Sequence, residues 1–408
     1  MIKEFKNLKI CIVGLGYIGL PTAAILTNAG FKVLGVDINN SVIDVIKKGK
    51  IHIKENGLED LISKAIKKNL LEVSNIPKAA DIFIISVPTP LKKDNNGMPE
   101  PDISCVLKAL DSISPFIKKG DLLIIESTCP VGTSKILTNK LQENTNIDFK
   151  DLNVAYCPER VLPGNILFEL IHNDRVIGGV NQRSADLAKS FYQAFCNGEL
   201  FMTSSETAEM VKLTENAYRD LNIAFANQLS IICDEIGIDI KELISLSNRH
   251  PRVNILKPGC GVGGHCIAID PWFITSRFPD NSSLIRTARE VNLQKENWVL
   301  NKIMDYERKL RDKLKREVKI GCYGITFKPD VDDTRESPAM NIVLELLSNN
   351  CNVIICDPNI NSNDQFDLVT LDEIYDSVDM HVLLVSHSEF HKFDFINKNV
   401  LDFCGLIN

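Results

Sequence analysis

The strongest constraint on the fold is a glycine pattern near the start of the chain. The apolar run 9–14 (KICIVG) leads directly into GLGYIG, with glycines at Gly14, Gly16 and Gly19, and a second apolar run ends in Asp37. The segment between the two runs has helical character, so strand, helix and strand form a βαβ unit. In such a unit the first glycine makes the tight turn, the second lets the backbone approach a pyrophosphate, and the third lets the helix pack closely on the strand.

Asp37 and the helix that begins near Gly19 point to a dinucleotide. The N–H groups and the positive dipole at a helix N-terminus suit phosphates. Asp37 follows Gly19 by 18 residues, where a carboxylate would bind ribose hydroxyls. No arginine occurs in the ten residues after Asp37, which favours NAD over NADP. The alternative is a tight turn in an α/β protein that binds no dinucleotide.

The alternation of apolar runs and helical stretches continues through the first half of the chain. The runs 81–87 (DIFIISV) and 121–127 (DLLIIES) are almost entirely apolar and rich in β-branched residues, as in parallel strands that are covered on both faces. Weaker strand candidates lie at 154–158 and 175–179. This pattern predicts a first α/β domain of about 200 residues.

A long helix is expected next, and the alternation then restarts. Residues 206–237 contain no proline, carry their single glycine at the end and repeat apolar residues at helical spacing. At 1.5 Å per residue this helix would be roughly 45 Å long, so we expect it to connect two domains and to be a candidate dimer interface. Helical segments at 239–248 and 282–315 follow, and then strand-like runs at 351–358 and 380–386.

The predicted fold class is therefore α/β, with two Rossmann-like domains joined by a long central helix. We expect an NAD-binding domain at 1–205, a central helical region for dimerisation and catalysis at 206–315, and a second, smaller Rossmann-like domain at 316–408. Such strand–helix alternation is typical of sheets with helices on both faces.

Composition argues against several classes of protein. Lys and Arg total 46 against 53 Asp and Glu, a formal net charge of −7, which argues against nucleic-acid binding. No apolar run reaches the roughly 18 residues of a membrane span, so no membrane partner is expected. The N-terminal segment lacks the apolar core of a signal peptide. The twelve cysteines are scattered, which predicts reduced thiols in the cytoplasm rather than a disulfide framework.

A second glycine-rich segment carries a candidate nucleophile. Residues 257–272 (KPGCGVGGHCIAIDPW) place four glycines just before Cys266, and Asp270 lies four residues further on. A helix beginning at 265 would place both side chains on one face, and amide dipoles or a nearby cation would activate the thiol. One alternative is a structural glycine loop. Another is a metal site of Cys260, His265 and Cys266, which lacks the second Cys/His pair of a usual zinc site.

Two further segments carry candidate polar residues. Helical spacing places Lys212, Asn216 and Arg219 on one face of the long helix, where a lysine and an amide are suited to stabilising an oxyanion or moving a proton. The alternative is a solvated helix face. Lys328 and Arg335 lie in a polar loop after a strand and are suited to binding phosphates. The alternative there is a solvated loop.

In combination these motifs resemble the UDP-glucose/GDP-mannose dehydrogenase family along nearly the whole chain. The matching segments, in order, are GLGYIGLP (14–21), VPTP (87–90), ESTCPVGT (126–133), CPERVLPG (157–164), EMVKLTEN (209–216), PGCGVGGHC (258–266) and TFKPDVDDTRESP (326–338). Several independent motifs in the same order make the resemblance specific.

Further residues bear on the substrate within this family. NRHPRVN (248–254) and GVGGHCIAIDPWF (261–273) are similar to the bacterial and archaeal members that act on UDP-N-acetyl-D-mannosamine. UDP-glucose dehydrogenases typically carry a second glutamate four residues after the one in their PE motif. Pro163 occupies that position, which argues against glucose.

The resemblance implies an activity. The expected reaction is an NAD-dependent four-electron oxidation of UDP-N-acetyl-D-mannosamine at C6, with two NAD per turnover, through a thiohemiacetal and a thioester on Cys266. The alternatives are a UDP-N-acetylglucosamine 6-dehydrogenase and a nucleotide-sugar-binding protein without catalysis. The catalytic residues that the resemblance implies are Cys266, Lys212, Asn216, Glu159, Asp270 and Thr128.

The resemblance also implies binding residues and partners. The NAD site would consist of Gly14, Gly16, Tyr17, Ile18, Gly19, Asp37, Thr89, Thr128 and Arg335. The UDP-sugar site, to which the C-terminal domain contributes, would consist of Arg160, Val161, Lys212, Asn216, Arg219, His250, Arg252, Gly263 and Lys328. No metal is expected. The expected assembly is a homodimer, with a tetramer as the alternative, and the expected role is in polysaccharide biosynthesis.

Overall fold

The apolar runs of the first 200 residues form one large sheet. The computed structural model of the chain describes residues 8–94, 97–162 and 164–407. The strands of its first part are β1 (Lys9–Val13), β2 (Lys32–Val36), β3 (Leu71–Ser74), β4 (Ile82–Ile85), β5 (Leu91–Lys93), β6 (Pro99–Pro101), β7 (Leu122–Ile125), β8 (Asn153–Tyr156), β9 (Arg175–Gly179) and β10 (Leu200–Ser204). The sheet order is β10-β9-β8-β7-β4-β1-β2-β3, and β5 pairs with β6 outside it.

Strand direction and burial follow from the sequence pattern. All neighbours in the large sheet run parallel except β8 and β9, which are antiparallel. Along β1, Ile10 and Ile12 belong to one core cluster and Cys11 and Val13 to another. The strand is therefore covered on both faces, as its continuous apolar run predicts.

Helices connect these strands and cover both faces of the sheet. They are α1 (Gly19–Asn28), α2 (Asn40–Lys47), α3 (Leu58–Lys67), α4 (Ser104–Ile113), α5 (Thr133–Thr145), α6 (Ile166–His172), α7 (Gln182–Tyr192) and the long α8 (Ser205–Ile236). The predicted helix at 206–237 thus lies within one residue of the observed one. The chain divides into two units, Met1–Thr214 and Glu215–Asn408, and α8 runs through that boundary.

The second unit contains a smaller parallel sheet and more helices. Its elements are α9 (Ile240–Ser247), α10 (Asp270–Arg277), α11 (Ser283–Leu314), β11 (Lys319–Tyr323), α12 (Pro338–Ser348), β12 (Asn352–Cys356), α13 (Leu371–Ser377), β13 (Met380–Leu383) and β14 (Val400–Asp402). The sheet order is β12-β11-β13-β14, with all pairs parallel. The predicted fold class, two Rossmann-like domains and a long central helix, is confirmed.

The helix after the glycine-rich segment begins at Asp270 rather than at residue 265. Asp270 is the first residue of α10, and Cys266 lies in the preceding turn, where its carbonyl oxygen accepts the N–H groups of Ile269 at 3.1 Å and Asp270 at 2.8 Å. Pro271 suits the first turn of a helix, where its missing N–H costs nothing. The thiol and Asp270 are thus related by a turn rather than by a helix face.

The two sheets share one turn geometry after their first strands. Gly14 donates its N–H to the Val36 carbonyl oxygen at 2.8 Å, and Gly324 donates to the Cys356 carbonyl oxygen at 2.8 Å. Both glycines have a left-handed φ, +96° and +86°. In the second sheet Asp357 is fully buried, and its Oδ2 accepts from the N–H of Ile325 at 2.8 Å and lies 3.1 Å from Nε2 of the buried His387.

The glycine turn gives a matched test of packing in the first unit. An ideal Cβ at Gly19 would overlap the carbonyl oxygen of Gly14, whereas an ideal Cβ at Gly16 meets nothing within 4 Å. We expect Gly19→Ala to lower the free energy of unfolding by roughly 1–3 kcal/mol and Gly16→Ala to leave it unchanged. Urea unfolding measures both. Equal midpoints for Gly19→Ala and the wild type would contradict the packing argument.

Candidate active site

The carboxyl ends of four parallel strands bring several predicted residues to one edge of the first sheet. Strands β1, β4, β7 and β8 are consecutive parallel neighbours. The glycine turn follows β1, Thr89 lies after β4, Thr128 after β7 and Glu159 after β8. The chain order reverses between β1 and β4, and ligands of open α/β sheets bind outside such a switch point.

The turn after β1 fits a dinucleotide. An ideal Cβ at Gly14 would overlap the carbonyl oxygen of Ser86, so only glycine allows this close approach, while the space above Gly16 is open. The half-buried Asp37 accepts the N–H groups of Leu15 and Asn39, each at 2.9 Å. Its carboxylate thereby holds the turn and stays partly exposed. The predicted Tyr17 and Ile18 follow Gly16 and are half-buried.

A buried glutamate that sequence reasoning missed fixes the loop with Thr128. Glu209 on α8 accepts the N–H of Gly132 at 2.6 Å, the N–H of Ser134 at 2.7 Å and the hydroxyl of Ser134 at 2.6 Å. The same loop contains Cys129, whose thiol pKa is raised well above its ordinary value by burial and by Glu209. Cys129 is therefore a poor candidate for the nucleophile.

Glu159 lies in a buried cluster of charged residues. Its carboxylate accepts from Nη1 of Arg175 at 2.5 Å, and its backbone oxygen accepts from Nζ of Lys212 at 2.7 Å. Both side chains of the ion pair are 6% exposed. The structure thus brings two predicted residues, Glu159 and Lys212, into contact. Arg175 was missed because nothing local at the start of β9 marks it as a partner of residue 159.

A second buried glutamate belongs to the same cluster. Glu126 accepts from the hydroxyl of Ser86 at 2.8 Å and from the hydroxyl of Tyr192 at 2.9 Å. Burial and the charge of Glu159 raise the pKa of Glu126 to about 7, against an opposing effect of Arg175. Near neutral pH the protonated and the ionised forms of Glu126 are therefore both populated.

The loop after β8 carries Arg160 and Val161, both half-buried. Arg160 donates from Nη1 to the Asp174 carbonyl oxygen at 3.2 Å. Glu55 accepts the N–H of Gly164 at 2.8 Å and of Ile166 at 2.9 Å, which fixes the far end of the loop. Pro163, which in the sequence argues against glucose as the sugar, lies outside the residues that the structure describes.

The second unit brings together Asn216, Asp270 and Cys266. The Asn216 amide donates to Oδ2 of Asp270 at 2.6 Å, both residues being buried, and the N–H of Asp270 donates to the Cys266 carbonyl oxygen at 2.8 Å. Cys266 itself is exposed. The residue with the exposed thiol is thus bonded through its backbone to a residue of the acid–amide pair, and an exposed thiol is suited to covalent chemistry on a bound carbonyl compound.

The glycines before Cys266 pack against the loop that contains Lys328 and Arg335. An ideal Cβ at Gly263 would overlap the Glu336 carbonyl oxygen, and Gly264 donates its N–H to the Arg335 carbonyl oxygen at 3.1 Å. The Arg335 guanidinium donates to Asp333 at 2.6 and 2.9 Å. The structure therefore packs the loop that contains Lys328 and Arg335 against the glycine-rich segment.

The remaining predicted residues are exposed. Arg219 lies on α8, and His250 and Arg252 lie in the loop after α9. Asn248 closes that loop by donating to the Ile255 carbonyl oxygen at 3.0 Å and accepting its N–H at 2.7 Å. The structure thus gives the loop a defined shape and leaves the two cationic-capable side chains on its surface.

The described residues provide neither a metal site nor a membrane-spanning helix. Across residues 8–94, 97–162 and 164–407, no three His, Cys, Asp or Glu side chains are grouped so that they could hold a metal ion. Among the helices of the described chain, none has both the length and the apolar character needed to cross a membrane.

Family models match the chain in three consecutive parts. Residues 8–196 match the NAD binding domain, residues 206–294 the central domain and residues 321–404 the UDP binding domain of the UDP-glucose/GDP-mannose dehydrogenase family. The chain belongs to this family. As a member it is an NAD-dependent dehydrogenase, and its UDP binding domain supports a UDP-sugar as substrate.

Individual members of the family are similar over nearly their full length. A UDP-N-acetyl-D-mannosamine dehydrogenase of Campylobacter jejuni is 48% identical, with 97% of this chain and 99% of the relative covered. An NDP-N-acetyl-D-galactosaminuronic acid dehydrogenase of Ralstonia solanacearum is 45% identical, with 94% and 92% covered. The solved structure of a UDP-D-ManNAc dehydrogenase from Pyrococcus horikoshii has 35% identity and a TM-score of 0.89, with 98% and 96% covered.

The buried cluster in this dehydrogenase predicts a pH dependence of stability. Because the pKa of Glu126 is raised from 4.5 to about 7, the folded protein keeps a proton that the unfolded chain loses. The free energy of unfolding should therefore fall as the pH rises from about 4.5 to about 7. The contribution of Glu126 should change no further at higher pH. In Glu126→Gln it should vanish, which denaturant unfolding at several pH values would measure.

A matched control is the exposed Glu143→Gln, which should keep the wild-type slope. The same slope in Glu126→Gln as in the wild type would show that Glu126 does not hold this proton.

Proposed function

We propose that the protein oxidises the C6 alcohol of UDP-N-acetyl-D-mannosamine to the carboxylate and uses two NAD per turnover. The observation that carries the proposal is the exposed Cys266 at the end of a glycine-rich loop, with the Asn216–Asp270 pair beside it. The 48% identity to the Campylobacter jejuni enzyme supports the choice of sugar. The Ralstonia relative at 45% identity favours an N-acetylgalactosamine derivative as the second candidate.

Cys266 makes the second oxidation feasible. The first oxidation leaves an aldehyde, whose C–H is a poor hydride donor until a nucleophile adds. The thiol sulfur adds to the aldehyde carbon and a proton reaches the new oxygen, which gives a thiohemiacetal. Loss of hydride and a proton then leaves a thioester, and water splits it into the carboxylate, a proton and the free thiol. NAD, when bound, accepts one hydride in each oxidation, so one alcohol, two NAD⁺ and one water give one carboxylate, two NADH and three protons.

Polar residues support these steps. Lys212 and Asn216 stabilise the alkoxide and the thiohemiacetal oxygen, since a cation and an amide donor lower the energy of developing negative charge. Asp270 orients Asn216, to which it is hydrogen-bonded at 2.6 Å. Glu159 activates the hydrolytic water and Thr128 helps to place it. The ion pair with Arg175 holds the Glu159 carboxylate in a fixed position.

Binding roles are divided between the domains at 1–205, 206–315 and 316–408. The glycine turn, Tyr17, Ile18, Asp37, Thr89, Thr128 and Arg335 hold NAD. The UDP-sugar is held by Arg160, Val161, Lys212, Asn216, Arg219, Gly263 and Lys328, and by His250 and Arg252. The tight turn at Gly14 and the open space above Gly16 support the NAD assignment, because they let a pyrophosphate approach the backbone.

A homodimer is the assembly that the surface of α8 supports. Tyr218, Phe225, Ile232 and Ile236 are exposed on it, by 68%, 51%, 46% and 61%. Their spacing of seven, seven and four residues places them along one helix face, as in a helix–helix seam, and exposed apolar stripes of this kind mark interaction sites. We expect the stripe to be covered by a second copy of the chain.

The proposed setting is the cytoplasm. Cys11, Cys157 and Cys322 are buried and form no disulfide, and unbridged cysteines suit a reducing compartment. The product is a UDP-linked uronic acid, so the reaction that consumes it would be a glycosyl transfer, as in polysaccharide biosynthesis.

A panel of UDP-sugars tests the function directly. With NAD, UDP-N-acetylmannosamine should give two NADH per carboxylate. For the N-acetylglucosamine, N-acetylgalactosamine and glucose derivatives, kcat/KM should be at least roughly tenfold lower, because a misplaced or missing acetamido group at C2 costs at least about 1.4 kcal/mol. Cys266→Ser should stay folded and release no carboxylate. Preference for another sugar would overturn the assignment of UDP-N-acetylmannosamine as the substrate. Binding of the UDP-sugar without NADH formation would favour a non-catalytic protein.

Subunit mixing tests the role of Arg252. If Arg252 binds the sugar nucleotide of the neighbouring subunit, its charge-assisted bond should be worth roughly 1.5–3 kcal/mol. Arg252→Ala should then raise the KM for the UDP-sugar by about tenfold to a hundredfold and leave the KM for NAD unchanged. Mixing Arg252→Ala with Cys266→Ser should restore activity, since hybrid dimers contain one site with both residues. An unchanged KM for the sugar would remove this loop from the site.

A further inference from the structure

A chain of buried polar side chains leads from α8 to the loop of the nucleophile. Arg289 donates to Oδ1 of Asp220 at 2.6 Å, and the Asn292 amide donates to the same oxygen at 2.8 Å. Asn227 donates its amide to Oδ1 of Asn292 at 2.9 Å. The oxygen of the same Asn227 amide accepts the backbone N–H of Gly259 at 2.9 Å. Gly259 is the first glycine of the loop that ends at Cys266.

All four side chains of this hydrogen-bonded series are buried. Asp220 and Asn227 are 0% exposed, Asn292 is 1% exposed and Arg289 is 2% exposed. Asp220 Oδ2 and Arg289 Nε have no hydrogen-bond partner within the described structure, whereas the Asn227 amide is bonded through both its nitrogen and its oxygen, and paired buried amides are held in one arrangement. Since the Asn227 amide group is held by Asn292 on one side, its oxygen is presented to Gly259 in a single orientation.

The loop between Gly259 and Cys266 has little room to absorb a displacement. An ideal Cβ at Gly261 would lie 3.1 Å from the Asn292 carbonyl oxygen. The loop is also held by the hydrogen bond between Gly264 and the Arg335 carbonyl oxygen. At its far end the Cys266 carbonyl oxygen accepts the N–H of Asp270. The Asn227 bond to Gly259 is thus the first in a series of contacts that fix the backbone leading to Cys266.

We propose that Asn227 is a positioning residue for Cys266. It does not touch the reacting atoms; it fixes the start of the loop that presents the thiol to the aldehyde. The inference rests on the proposed function, because it assumes that Cys266 captures an aldehyde formed by the first oxidation. A displaced thiol would capture this aldehyde more slowly, and part of the aldehyde would escape.

The test is the stoichiometry of the reaction. In Asn227→Ala, kcat should fall about 10- to 100-fold, as expected for a reacting group displaced by about 1 Å, while the KM for NAD stays unchanged. With semicarbazide present, the escaping aldehyde should be trapped as its semicarbazone, and the ratio of NADH to carboxylate should rise above two. This ratio does not depend on the fraction of enzyme that is folded, so general destabilisation would not change it.

Asn153→Ala is the matched control. Asn153 lies on β8, is 2% exposed and donates to the Asp121 carbonyl oxygen at 3.1 Å, so its truncation also removes a buried amide. It should lower Tm and keep two NADH per carboxylate. Asn227→Ser, whose shorter side chain falls short of Gly259, gives the same readout if Asn227→Ala does not fold.

The outcomes separate this inference from the proposed function. A wild-type enzyme that does not form two NADH per carboxylate would overturn the proposed function. A wild type with that ratio, together with an Asn227 variant that keeps the ratio and gives no semicarbazone, would overturn the positioning role whatever its kcat. A ratio above two in the Asn227 variant, and not in Asn153→Ala, is the result that supports it.

Discussion

Side-chain oxygens that accept backbone N–H groups hold the loops on which the candidate site depends. A loop at the end of a parallel strand has no ladder partner, so its amide groups need other acceptors. Carboxylates and one amide meet this need, and each also fixes the loop in one conformation. The pairs are Asp37 with Leu15, Glu209 with Gly132 and Ser134, Glu55 with Gly164 and Ile166, and Asn227 with Gly259.

The long helix α8 supplies two of these acceptors. Glu209 acts on the loop after β7 within the first unit, and Asn227 acts on the glycine-rich loop within the second. A helix of 32 residues is a rigid support for such contacts, because its own backbone groups are already paired. The side chains that face its neighbours are therefore available to pair with loops and with other helices, and the buried Asp220 and Asn216 pair with residues of α11 and α10.

Local pattern explains what could be predicted from the sequence. The strands at 81–87 and 121–127, the helix at 206–237 and the turn at Gly14 depend on runs of neighbouring residues, and the structure has them. The contacts of Glu209 with Gly132 and of Glu55 with Gly164 join residues 77 and 109 positions apart. No periodicity marks such pairs, so Glu55, Arg175, Glu209 and Asn227 emerged only from the structure.

The glycine turn that follows the first strand of each sheet bears on how the two oxidations of the proposed reaction follow one another. Of the two acids that follow it, Asp37 is half-buried, whereas Asp357 is enclosed and bonded to Ile325 and His387. Only the first of these turns therefore offers its carboxylate to a ribose, although the proposed reaction needs two cofactor molecules. Reduced cofactor has to be exchanged for oxidised cofactor in one place while the half-oxidised sugar is retained. The covalent bond to Cys266 would thus act as a tether that keeps the substrate in place during the exchange.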